Sequence, residues 1–142
     1  MLVDTEEEGI FFLTGKDFTN AGAASSNLKA VLQRRGVRED IIRRIAIAAF
    51  EAEMNVIIYA VAGMIKYRIT DEEIAVTVQD MGQGIPDITL AMTEGYSTAP
   101  DYIREMGFGS GMGLPNIKKS TDSLTVNSMV GEGTTLVFTV RL

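Results

Sequence analysis

The stretch Gly107-Phe-Gly-Ser-Gly-Met-Gly113, followed at once by Leu114-Pro115-Asn116-Ile117-Lys118-Lys119, carries glycine at every second position. A side chain at Gly107, Gly109, Gly111 or Gly113 would hold a phosphate away from the backbone amides. Glycine also permits the positive-φ turns that aim successive N–H groups at an anion. Pro115 suits the first turn of a helix, where its missing N–H costs nothing, so the loop delivers its ligand to a helix N-terminus. Nucleotide phosphate binding is the reading this pattern supports. A flexible glycine linker is the competing one, and the apolar, patterned segments on both sides speak against it.

Upstream lies a second glycine motif, Asp80-Met81-Gly82-Gln83-Gly84-Ile85-Pro86-Asp87, straight after the alternating run Ile74-Ala-Val-Thr-Val-Gln79. The run reads as a strand. An acid at its end, followed by two glycines that let backbone close on a flat ligand, suits a carboxylate receiving the amino group of a purine. Taken alone, Asp-x-Gly-x-Gly also suits an ordinary turn.

Further upstream, 15 of the 20 residues from Ile41 to Ala60 are apolar, with no Gly or Pro, which predicts a helix buried over most of its circumference. Glu51 and Asn55, four apart, share one face, whereas Glu53 points roughly opposite and is assigned outright to the ordinary reading, a polar residue on a solvent stripe. A carboxylate and an amide oxygen one turn apart suit a hard cation and a water or hydroxyl awaiting deprotonation. A narrow solvent stripe is the ordinary alternative for the pair.

The chain of 142 residues suits a single domain, residues 1–142, with a core of ordinary size. It has no cysteine, which excludes disulfides and thiolate metal sites, and no histidine, which excludes a phosphoacceptor imidazole. Nineteen acids against 13 bases give a net charge of −6, which disfavours nucleic acid as the main partner. The best apolar stretch is interrupted by Glu51, Glu53 and Asn55, so no membrane span is expected and the chain reads as cytoplasmic.

Along the chain, a strand is expected at 9–14, a helix at 21–35 ending at Gly36, the buried helix, then a hairpin of 64–69 with 74–79. Residues 87–106 hold a helical turn near 88–92 and little else regular, and read as a lid ahead of the glycine loop. A helix from Pro115 to about Thr121 and a hairpin of 123–129 with 134–141 follow. This order implies an α+β fold, a two-layer α/β sandwich whose mixed β-sheet is covered on one face by helices.

Taken in order, these elements resemble the Bergerat-type (GHKL) ATP-binding fold of histidine kinases and gyrase. Glu51-x-x-x-Asn55 is similar to its N box, Asp80-x-Gly82-x-Gly84 to its first glycine box, Gly107 to Gly113 to its second and Gly131-Glu-Gly-Thr134-Thr135 to its last. Within that superfamily the chain looks most like the anti-sigma serine/threonine kinases, in particular the switch-kinase branch of partner-switching modules. The stretches that carry this likeness are Ala91-Met-Thr-Glu-Gly-Tyr-Ser-Thr98, Gly111-Met-Gly-Leu-Pro-Asn-Ile-Lys118 and Asn127-Ser-Met-Val-Gly-Glu-Gly-Thr-Thr135. It departs from the pattern at Phe50, where these kinases often carry Ser, and in the longer run 99–106.

The resemblance implies that Asn55 ligates Mg²⁺ and that Asp80 accepts from adenine, supported by Thr134 or Thr135. Gly82 and Gly84 would floor the adenine pocket. The amides of Gly107, Gly109, Gly111, Gly113 and Leu114 would line the phosphates, with Arg104 or Lys118 as candidate bases on them, and Glu51 would be general base. The implied partners are an antagonist protein (STAS-like), a sigma factor or a phosphatase, with a homodimer left open. Three functions follow: a kinase of a partner-switching module, an ATP-gated binding regulator, and an ATPase in the gyrase style. The last is ranked lowest because such enzymes append transducer domains, and no residues follow Leu142.

Overall fold

Burial alternates along residues 7–14 and 73–79, so one side of each strand enters a core, and a computed structural model of the chain shows what covers it. The structure describes residues 6–82, 84–85, 87–95, 97, 99 and 112–142. The element order is β1 (Glu7–Thr14), a 3-10 turn (Phe18–Asn20), α1 (Ala23–Arg34), α2 (Glu39–Tyr59), β2 (Ala60–Ile69), β3 (Glu73–Gly82), α3 (Ile88–Ala91), α4 (Gly113–Ser120), β4 (Ser123–Met129) and β5 (Gly133–Arg141). Among the described residues, no helix is long and apolar enough to cross a membrane.

The strands form one five-stranded sheet in the order β1-β2-β3-β5-β4, and every neighbouring pair is antiparallel. The α+β class and the helical cover are as expected; the mixed sheet is not. Two helices separate β1 from β2, which returns the chain antiparallel. A crossover containing α4 does bring β4 back parallel to β3, but β5 inserts between them, so no parallel neighbours meet.

Inward positions pack against the helices: Ile65 on β2, Ile74 and Val76 on β3, Phe138 and Val140 on β5, with Leu28, Leu32, Ile42, Ile45 and Ile117 from α1, α2 and α4. Phe138 and Ile45 are fully buried. The opposite face carries Lys66, Arg68 and Thr77 together with exposed Phe12 and Met81. α1 stops as expected, at Gly36, whose φ of 73° lets the N–H of Val37 reach the carbonyl of Leu32 at 3.1 Å.

Most boundaries shift by one to three residues from expectation, and two of the shifts bear on the site. β2 begins at Ala60, the residue after α2 ends, rather than at Met64, and a register irregularity between Ala60 and Gly63 absorbs the change of direction. α4 begins at Gly113, so Pro115 is its third residue, still within the turn that needs no N–H from it.

Glu53 explains how the helical layer is assembled. It is 1% exposed, and its carboxylate accepts hydrogen bonds from the backbone N–H groups of Gly22 (2.9 Å), Ala24 (3.4 Å) and Ser25 (2.9 Å). α1 has Gly22 at its N-cap and no side-chain cap of its own, so a residue of α2 performs that task. The negative group also sits at the positive end of the α1 dipole. The expected place for Glu53, on a solvent stripe, is overturned: it is buried as the cap of α1, and helical spacing carries no sign of that role.

Removing that cap leaves buried amides unpaired. Glu53→Ala is expected to cost about 3 kcal/mol or more, and Glu53→Gln about 1–3 kcal/mol, as charge-assisted bonds to a buried acceptor are lost. Urea denaturation measures both; a Glu53→Ala protein as stable as wild type would show that α1 finds its cap elsewhere.

Candidate functional site

α2 buries most of its surface, but Glu51 and Asn55 lie on its half-exposed stripe. That stripe faces α4, whose Leu114, Pro115 and Ile117 are buried. Arg44, two turns before Glu51, fixes the far end of α4: its Nε donates to the Ser120 carbonyl at 2.9 Å and its Nη2 pairs with Asp122 at 2.9 Å.

At the near end the two helices meet at Gly113. A Cβ there would stand 3.2 Å from Asn55 Oδ1, 3.4 Å from Asn55 Nδ2 and 3.6 Å from Glu51 Oε2. Absence of a side chain therefore brings the start of α4 directly against both polar residues of the stripe. Asn116, one turn on, donates from Nδ2 to Glu51 Oε1 at 3.1 Å. Met112 at the N-cap makes no side-chain capping bond, so among the described residues the first amides of α4, those of Gly113 and Leu114, have no side-chain acceptor.

Asp80 lies near the end of β3 on the helix-facing side. Its Oδ1 accepts the N–H of Thr134 at 3.1 Å. Burial pushes the Asp80 carboxyl above the usual carboxylate range, and N–H donation from Thr134 and Gly82 pulls it partly back. Glycines surround it. A Cβ on Gly82 would come within 3.0 Å of Asp80 Oδ1, and one on Gly133, at φ 124°, within 2.1 Å of the Asp80 carbonyl oxygen. The carboxylate thus has no neighbouring side chain to cover it from those positions.

Asp80 and Asn55 belong to one region because Gly63, the register partner of Asp80, lets α2 lie close on the sheet: a Cβ there would be 2.7 Å from Val56 Cγ1. Gly84, with φ 78°, packs against the end of β4. Its added Cβ would lie 2.3 Å from the Met129 carbonyl oxygen, so its bareness lets the loop after β3 press on the end of β4.

The two hydroxyls considered, Thr134 and Thr135, lie on opposite faces of the sheet, and it is Thr134 that stands on the Asp80 side. Thr134 is buried on the face shared with Leu136 and Phe138, whereas Thr135 follows one residue later and points to the opposite side of the sheet. Thr134 Oγ1 pairs with Ser128 Oγ at 2.9 Å, and Ser128 Oγ also accepts from the Ile85 N–H at 2.6 Å.

Gly107, Gly109, Gly111 and Arg104 fall outside the described residues, as do residues 100–106 of the expected lid. Of that segment's first part, α3 forms with Asp87 as its N-cap, accepting from the Leu90 N–H at 3.0 Å. Lys119 pairs with Glu94, which ties α4 to the residues after α3. Lys118, the other basic candidate, sits in the last turn of α4, away from the uncapped amides.

Asn116 and Ser128 were not singled out from sequence. Ser128 could have been, since alternation in β4 puts it inward with Leu124 and Val126, a polar residue among apolar ones. Asn116 had a weaker signal, a short amide three residues after the last glycine of the loop.

Comparison with known proteins identifies the family. The sequence matches the histidine kinase-like ATPase domain family over residues 16–140. The serine/threonine-protein kinase RsbT of Bacillus subtilis (strain 168) is 36% identical over 95 residues, covering 64% of this chain and 65% of that protein. The chain thus spans just under two thirds of that relative. An anti-sigma F factor of Clostridium novyi (strain NT) is 34% identical over 101 residues, 67% of each chain. A crystal structure of RsbU and RsbW domains from Mycobacterium tuberculosis shares the fold, with a TM-score of 0.62 at 19% identity, over 94% of this chain and 32% of that one. With the glycine-bounded Asp80, the Glu51 and Asn55 stripe and the uncapped start of α4 all inside the matched span, the chain belongs to the histidine kinase-like ATPase domain family.

Proposed function

We propose that this protein is an ATP-dependent serine/threonine protein kinase that phosphorylates a small antagonist protein of the STAS-like kind, as one component of a cytoplasmic partner-switching module. The observation that carries the reading is Gly113, which sets the uncapped start of α4 against Asn55 Oδ1 and Glu51 Oε2. An anion receiver, a cation ligand and a carboxylate base then share one point, as phosphoryl transfer by positioning and electrostatics requires.

Asp80 takes the adenine amino group, with Thr134 holding its other contact and Gly82 leaving room for the ring. The amides of Gly113 and Leu114 receive phosphate oxygens, continued by Gly107, Gly109 and Gly111. Asn55 would hold a Mg²⁺ through its amide oxygen, a hard ligand suited to that cation. ATP is the phosphoryl donor, and a Mg²⁺ held there would supply charge compensation for the transferred group. Glu51 orients the acceptor hydroxyl and removes its proton. A second reading is an ATP-gated regulator that sequesters a sigma factor or activates a phosphatase with little or no transfer, and the anti-sigma F factor relatives favour its sigma-factor form.

The raised carboxyl of Asp80 gives a prediction in which stability and binding move apart. An acid whose folded value is raised holds its proton more tightly in the native state. Its contribution to stability is therefore greatest when protonated and declines as pH rises through the carboxylate range, so at neutral pH the full cost of burying the charge is present. Asp80→Asn keeps an acceptor for the Thr134 N–H and removes that cost. The variant should be at least as stable as wild type at pH 7, with the difference narrowing on acidification. Its affinity for Mg-ATP should fall by about tenfold or more, since an amide N–H₂ now faces the adenine amine. Thermal melts across pH and calorimetry measure the two; unchanged affinity would remove Asp80 from the adenine site.

Glu51→Gln tests the function itself. Affinity for Mg-ATP should stay within a few fold while transfer of label from γ-labelled ATP to partners recovered from native lysate falls by roughly 10²–10⁴-fold. A wild type that binds its partner in a nucleotide-dependent way and labels nothing would leave the ATP-gated regulator as the function.

A further inference from the structure

Glu51 has two oxygens in different surroundings. Oε1 accepts from Asn116 Nδ2 at 3.1 Å, while Oε2 is the atom within 3.6 Å of the position a Gly113 side chain would take. Gly113 and Asn116 are three apart on α4 and so stand on one face, the face turned to α2. The hydrogen bond is not needed to dock the helices, because Leu114 and Ile117 are already buried between them and Arg44 holds the other end.

A free glutamate samples several rotamers about its side-chain torsions, and ordering it carries an entropic cost. A base must present one lone pair to one hydroxyl. Resting on the kinase reading above, we infer that Asn116 is a positioning residue: it clamps Glu51 Oε1 so that Oε2 faces the start of α4, where the phosphoryl acceptor has to approach. The same side chain makes the base depend on α4, the helix that receives the phosphates, so that Glu51 is oriented only when α4 stands in its place.

The tests are Asn116→Leu, which removes the donor, and Asn116→Asp, which keeps the shape, removes the donor and sets a second carboxylate against Glu51. Each is measured in the full chain alone and combined with Glu51→Gln. At saturating Mg-ATP, Asn116→Leu should slow single-turnover transfer to lysate-recovered partner about 10- to 100-fold, and Asn116→Asp at least as much, with Mg-ATP affinity within about twofold of wild type. If Asn116 acts through Glu51, adding Asn116→Leu to Glu51→Gln should slow transfer no further. Wild-type transfer by both single variants overturns the positioning role. So does an equal fold-loss from Asn116→Leu in the wild-type and Glu51→Gln backgrounds, the mark of a merely structural contact. The kinase reading fails separately, and the positioning role with it, if Glu51→Gln transfers as fast as wild type or if wild type transfers nothing.

Discussion

The carboxylate of Glu53 is the contact on which the helical layer depends. It gathers the first amides of α1 into a buried site within α2, and so settles how the two helices lie against each other before any surface residue is considered. Since successive side chains of a helix are about 100° apart, a residue two positions away points to nearly the opposite side. With Glu53 turned into α1, Glu51 must turn to the other flank, where it meets Asn116 of α4. One acid builds the layer and its neighbour serves the site.

The site itself is made from omissions as much as from side chains. Gly63, Gly82, Gly113 and Gly133 each stand where a Cβ would collide with, or crowd, Asp80, Asn55 or the backbone beside them. Asp80 shows the cost of such a place: it is a partly desolvated carboxylate, held by a backbone donor from β5. A residue in that position weakens the native state at neutral pH and is explained by what it can receive rather than by what it stabilises.

The sequence made the chemistry legible and the assembly much less so. Glu51, Asn55, Asp80 and the glycines announce themselves because few other residue types suit an anion, a cation or a flat amine. Thr134 and Thr135 could not be separated until strand parity was referred to the buried Leu136 and Phe138. Glu53 was opaque because its partners are backbone amides of Gly22, Ala24 and Ser25, about thirty residues away, and no residue type signals a backbone donor. The α2 to β2 boundary was hidden by an unbroken apolar run, Val56-Ile-Ile-Tyr-Ala-Val-Ala62, which helix and strand both accept. Strand order was hidden for another reason: β5 inserts between β3 and β4, a choice made by tertiary packing that no local pattern records.

Because α2 passes into β2 with no residue between them, the helix and the central strands behave mechanically as one casting. There is no slack at Tyr59 and Ala60 to let Asn55 slide over Gly63 and its partner Asp80. Any length change at that junction would rotate the helix stripe and shift strand register together, whereas the turn from Thr70 to Glu73 can lengthen without moving either. The same joint fixes where Asn55 stands relative to Asp80, so the two are set by one continuous piece of chain.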